Sequence, residues 1–426
     1  MSSKIYENKL IPPYEIHHGY LVLEREKVLL HEIPKGALEL QSYSSETRDW
    51  LRCQGLMRRL LTSIANGSMS FSAFRLADWL YRFIYPEPSL WRERVDLENP
   101  GPYTLRLKKC FSKGWAAVHG LYAALKEAEQ FLLEPPKEIV AEKLHYTVKS
   151  QPSQPKKHPV VNAMRRSLRP VESDVSVYVH GSMATGDYTV FSDVDDLVII
   201  HCSSWASYQQ FRKVIRLLER TATLFQCVDP LQHHGHWIFL DFDLTCLDQT
   251  TMPLVVLDNA DVIVGGNSIE ANVRDGTWGF ASIMWAIAQE VRRDALSMMR
   301  GRLNLHGLKN LISSISLLPA LKFQVQGKML DKKTAILKSD ETFSDQALSA
   351  IRWTTEVRNG TCPGYRWVQT MRHFNRVLPF RRGTLEKLAR DYLPTLQTQQ
   401  IPLLNEDVIL GIFRLTDECV LHLREI

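Results

Sequence analysis

The sequence predicts an α+β fold, with a short β-sheet set between two largely helical regions. Apolar residues recur at three- and four-residue spacing in "SETRDWLRCQGLMRRLLTSIA" (45–65) and "KGWAAVHGLYAALKEAEQFLLE" (113–134), the period of an amphipathic helix. The period then drops to two in "VSVYVHG" (175–181), "DDLVIIH" (195–201) and "HWIFLDFDLTCL" (236–247), as expected of strands. Helical patterns return from about Gly276, in "WGFASIMWAIAQEVRRDALSMM" (278–299) and "GLKNLISSISLLPALKFQVQG" (307–327).

These shifts divide the chain. Residues 1–148 are expected to be mostly helical. The stretch 149–159, "KSQPSQPKKHP", is rich in Pro, Lys, Gln and Ser without periodicity and reads as a linker. Residues 160–275 hold the strands, preceded by a short helix, "VVNAMRRSLRP", that Pro170 ends, with a helix, "YQQFRKVIRLLERTATLF", between the last two strands. Residues 276–426 form a C-terminal helical domain.

A chain of 426 residues has room for two or three such domains, and 45% hydrophobic with 23% charged residues is an ordinary globular composition. No stretch approaches eighteen uninterrupted apolar residues, and "MSSKIYENKLIPPYE" lacks the apolar core of a signal peptide, so the expected location is cytoplasmic. The seven cysteines are scattered and never spaced C-x-x-C, which argues against a disulfide framework and a cysteine zinc site. A net charge of +5 permits a polyanionic partner without requiring one.

Chemistry is concentrated in "YVHGSMATGDYTVFSDVDDLVII" (178–200). On a strand alternate residues share a face, so Asp193 and Asp195 point one way and Asp196 the other. Two carboxylates about 7 Å apart along a strand can converge on one or two hard cations. Without a positive partner they would repel and lose hydration, which makes an acidic pair leading into "LVII" costly. The bland reading is a solvated strand end. Against it, "HGS" puts a Gly-Ser turn after an apolar strand: glycine lets a phosphate approach the backbone, and the Ser182 hydroxyl with nearby N–H groups can bind its oxygens. Phosphate donors and a metal-binding acid pair in one short unit are what nucleotidyl or phosphoryl transfer requires.

With Gly181 and Ser182 as the pair and ten residues before Asp193, this stretch resembles the DNA polymerase beta-like nucleotidyltransferase superfamily. The spacing of "GSMATGDYTVFSDVD" is closest to its bacterial small-molecule and toxin- or defence-type members. The resemblance implies a nucleotidyltransferase-type mixed β-sheet with flanking helices. It also implies transfer of an NMP from an NTP, ATP by default, to an acceptor hydroxyl with release of pyrophosphate. Two Mg²⁺ ions, or Mn²⁺, would be held by Asp193 and Asp195. Acceptors in the superfamily include antibiotics, proteins, tRNA ends and other nucleotides; protein or tRNA/RNA in a toxin–antitoxin or antiviral-defence setting is implied by analogy. Asp196 departs from the pattern, which has an apolar residue there. The alternative is a catalytically silent chain that binds nucleotide or RNA.

The resemblance also implies a third carboxylate on a later strand, as metal ligand and base. Asp241 and Asp243 share a face of the expected strand, and Asp243 is favoured, with surface acids as the competing reading. Just upstream, "QHHGHW" holds His233, His234 and His236. The second and third would share a face, yet no partner at zinc-site spacing accompanies them. They are read as acceptor or phosphate contacts, or as loop histidines without a role.

Lysines after the sheet complete the expectations. Residues 276–340 carry ten Lys or Arg against four acids, so this segment is locally basic. By resemblance to the helical domain of small bacterial nucleotidyltransferases, Lys328, Lys332 and Lys333 are expected at the triphosphate; a solvated basic face is the alternative. "PFRRGTLEKLAR" (379–390) would extend a basic surface toward an RNA acceptor.

Overall fold

In the computed structural model the described residues are 15–17, 20–23, 43–66, 115–148, 158–189, 191–232, 234–360, 370 and 393–423. His233 and the basic segment 379–390 lie outside them.

A small hairpin of β1 (Glu15–His17) and β2 (Tyr20–Val22) comes first. Helix α1 (Ser45–Ala65) starts where the Ser44 side chain accepts the Thr47 N–H, and α2 (Trp115–Leu133) follows. Residues 141–147, expected within a helical region, instead form strand β3. Then come α3 (Pro159–Leu168), β4 (Val175–His180), the single turn α4 (Ser182–Thr185), β5 (Asp195–Ile200) and α5 (Tyr208–Val228). Strand β6 (Trp237–Leu240) and the turn α6 (Asp241–Leu244) lead to β7 (Asp261–Val264) and β8 (Ser268–Arg274). Among the described residues five further α-helices follow: α7 (Thr277–Met299), α8 (Leu305–Val325), α9 (Lys332–Leu337), α10 (Asp345–Asn359) and α11 (Glu406–His422). The α+β class is therefore as the sequence predicts.

The main sheet has the order β6-β5-β4-β7 and is mixed: β4 runs antiparallel to β5 and β7, while β5 and β6 are parallel. A parallel pair needs a crossover, and α5 supplies it. Alternation along the strands buries both faces. Val175, Val177, Val179, Val198, Ile200, Ile238 and Leu240 pack in one core with Met57 and Leu61 of α1, Leu121 and Leu125 of α2, and residues of α3 and α5. Tyr178, Leu197, Ile199 and Phe239 face the other core, shared with β8. Strand β3 pairs antiparallel with β8 over its whole length, so residues before the expected linker build onto residues after it.

One strand ends early. The sequence predicts a strand through 247, but β6 stops at Leu240, whose N–H donates to Asp243 Oδ2 at 2.8 Å and fixes a helical turn. The face-sharing argument for Asp241 and Asp243 therefore fails locally.

The C-terminal helices α7, α8, α10 and α11 pack around their own core, which also takes in Phe191 and Leu231 from the loops beside the sheet. Among the described residues, no helix is long and apolar enough to cross a membrane.

Candidate functional site

The site lies where β4 ends and β5 begins. His180, the last residue of β4, pairs with Asp195, the first of β5. Between them Gly181 takes φ 65° and Gly186 φ 80°, left-handed values that glycine adopts without strain, and α4 is the single turn they bracket. A Cβ on Gly181 would stand 3.4 Å from Asp195 Oδ2, so the absence of a side chain leaves the turn against the carboxylate. Gln232 fastens the acidic loop to the turn before β6: its Oε1 accepts the Val194 N–H at 3.0 Å and its Nε2 donates to the Val194 carbonyl at 2.8 Å.

Positive groups surround the two acids. His234 Nε2 stands 3.1 Å from Asp195 Oδ1 and 3.8 Å from Asp193 Oδ2. The Lys309 ammonium from α8 bonds Asp193 Oδ1 and also Asp229 Oδ2, just past α5. Burial would raise both motif carboxyls. It is outweighed at Asp193 by Lys309 and His234, and at Asp195 by the contact with His234, so both stay below the ordinary range. Burial, only partly offset by Lys309, raises Asp229. For Lys309 the two carboxylates outweigh burial and hold its pKa up. Lys332 and Arg358 add further positive potential, each feeling both acids. Burial, then the charge of Arg358, brings Lys332 down to about 8.

The other expected residues have partners of their own. Lys333 forms an exposed pair with Asp187 at 2.7 Å, and exposed Lys328 holds its ammonium 5.8 Å from the Phe323 ring centroid. Of the three lysines, Lys332 alone is electrostatically linked to the acids. Asp196 points into the α5-side core, as strand alternation requires. There it meets His236 Nδ1 at 2.6 Å, and His236 Nε2 lies 2.9 Å from Thr221 Oγ1. His236 is thus part of a buried structural network.

Asp241 and Asp243 lie at the far end of the sheet. Strands β5 and β6 run side by side with Ile200 opposite Leu240, so Leu240 sits about 17 Å along the strands from Asp195, at five residue steps, and Asp241 lies one residue beyond it. Asp241 Oδ1 is 2.8 Å from His201 Nδ1, whose Nε2 is 2.8 Å from Ser176 Oγ, and Asp241 Oδ2 accepts the Cys202 N–H. This Ser–His–Asp order is a clamp rather than a nucleophilic triad. Ser176 is buried and packs so tightly on Gly265 that a Cβ there would overlap its Oγ, leaving no space for an acyl group. Asp243 is fully buried, 3.3 Å from Arg58 of α1.

The donor set suits a hard divalent cation. Asp193 Oδ2 and Asp195 Oδ1 both lie beside His234 Nε2, and both are carboxylate oxygens of the kind Mg²⁺ and Mn²⁺ take. Among the described residues no group of three or more His, Cys, Asp or Glu is ready-made for a metal, and Lys309 and His234 bond these two carboxylates. Sequence reading missed Asp229, Lys309 and Arg358, and left the role of His234 open. No motif spacing connects them to the acids: Lys309 is 116 positions from Asp193.

Residues 161–225 match the model of the nucleotidyltransferase domain. That stretch contains the Gly-Ser turn, both aspartates and most of α5. No curated protein and no solved structure gives a match.

Proposed function

We propose that the chain catalyses divalent-metal-dependent transfer of a nucleoside monophosphate from an NTP to an acceptor hydroxyl, releasing pyrophosphate. One observation carries this reading: two carboxylates that share the His234 imidazole stand beside a glycine-serine turn, within the stretch that matches a nucleotidyltransferase domain. Gly181 and Ser182 hold the terminal phosphates, and Lys332 adds charge opposite them. Mg²⁺, or Mn²⁺, is held by Asp193 and Asp195; when bound it neutralises the triphosphate and polarises the phosphate under attack. With Asp241 and Asp243 at the other end of the sheet and His234 engaged as the counter-group of Asp195, the acceptor proton leaves to solvent.

ATP is the first donor to test, and protein and RNA are the first acceptor classes, in keeping with the toxin- or defence-type resemblance. The experiment incubates the full chain with each α-³²P-labelled NTP, Mg²⁺ and total cell extract. Label on protein, on RNA or on a small molecule names the acceptor class, and the Asp193→Ala, Asp195→Ala double variant should transfer none. Retained transfer in that variant sinks the assignment. Mg²⁺-dependent stabilisation by NTP with no label in any fraction supports instead a chain that only binds nucleotide.

A further inference from the structure

The two motif aspartates stand in unequal surroundings. Asp195 is about one-third exposed and faces the glycine turn, while Asp193 is mostly buried, with one oxygen committed to Lys309. The same ammonium bonds Asp229, itself 1% exposed, and the Lys309 side chain is also 1% exposed. A cation buried between two carboxylates, one of them from the motif, occupies the kind of position a second divalent ion would take. We propose that Lys309 permanently fills that second cation position, so that the chain works with a single divalent ion, held between Asp193 Oδ2 and Asp195 Oδ1. This rests on the reading of the site as a metal-dependent nucleotidyltransferase.

The groups around Lys309 make it a fixture rather than a lid contact. It projects from a helix whose neighbouring residues Leu308, Leu311 and Ile312 are at most 1% exposed, in a core that also includes Phe191 and Leu231. Those two residues flank the acidic loop and the Asp229 turn. Asp229 Oδ1 accepts the Leu231 N–H at 3.0 Å, and Gln232 ties that turn to Val194. Both carboxylates are therefore held rigidly relative to each other and to the helix that carries the ammonium. Withdrawing Lys309 would strand two buried carboxylates, which is unfavourable unless another cation replaces it.

Asp229 takes the place left by Asp241 and Asp243, as a third carboxylate near the pair, but one already neutralised from within the protein.

The test counts ions on the full chain by Mn²⁺ electron paramagnetic resonance, with Mn²⁺ alone and with Mn²⁺ plus a non-hydrolysable NTP analogue. Wild type should saturate at about one Mn²⁺ per chain under both conditions. Lys309→Met, which keeps the length of the side chain and removes its charge, should take up a second, and adding Asp229→Asn should return the count to one. Two ions on the wild-type chain overturn the inference while leaving the transferase reading intact, and this count does not depend on any variant folding. A single ion on a folded Lys309→Met chain overturns it as well. No ion on any chain, with or without the analogue, fails the metal-dependent transferase reading itself.

Discussion

His234 Nε2 lies 3.1 Å from Asp195 Oδ1 and 3.8 Å from Asp193 Oδ2, so a single imidazole spans the acid pair. Burial would lower its pKa, but the hydrogen bond and charge of Asp195 prevail and raise it. The histidine is thus the internal counter-group for two carboxylates that would otherwise repel. His234→Ala should lower the thermal midpoint in EDTA. It should also enlarge the rise on adding Mg²⁺, because the ion no longer competes with an imidazole. Equal Mg²⁺ responses in the two chains would count against this role.

Two glycines carry strain of different size. Gly181→Ala forces a side chain onto a φ 65°, ψ −153° backbone that is essentially glycine's alone, at a cost of about 1–3 kcal/mol, while its Cβ meets Asp195 only at ordinary contact. Gly265→Ala adds to a φ of 87° an overlap with the backbone and side chain of Ser176 in the central strand. Chemical denaturation should therefore rank Gly265→Ala as the more destabilising, and the reverse order would contradict the packing described.

Burial separates the ion pairs by energy. His236→Ala leaves Asp196 uncompensated in a fully buried position and should cost about 3–5 kcal/mol. Lys333→Ala removes a pair whose partners are 69% and 59% exposed, and should change stability by less than about 1 kcal/mol. Urea midpoints of the two variants measure the difference.

Asp243 has a pH signature. Burial, against the opposing pull of Arg58, raises its carboxyl to about 6. The folded chain therefore binds this proton more tightly than the unfolded chain does. As pH falls from about 6 to about 4, Asp243 adds stability, up to about 3 kcal/mol; as pH rises through that window the contribution is lost. Asp243→Asn should remove this component, so wild type gains more than the variant, or loses less, between pH 6.5 and 4.5. Parallel stability–pH curves would exclude it.

Much of the framework is legible in the sequence because periodicity is a local property. The helix expected at 45–65 spans those residues, and the strands expected near 175 and 195 begin there. Misreadings arose where a local pattern had a non-local competitor. "AEKLHYT" (141–147) becomes a strand through pairing with β8, more than a hundred positions away. "DFDL" leaves the strand pattern because the Asp243 side chain captures the Leu240 N–H, a bond that periodicity does not encode.

By itself the sequence determined the local unit: a strand, a Gly-Ser turn and two aspartates whose spacing lets backbone geometry bring them to one strand end. Only the tertiary structure decided the charge around them. Lys309 reaches Asp193 across 116 positions and Asp229 across 80, and His234 arrives at the edge of β6 because β6 runs parallel to β5. Strand alternation acts over two residues and can be read along a chain. Which distant cation meets a carboxylate depends on how separate cores pack together, and that is settled only when the whole chain folds.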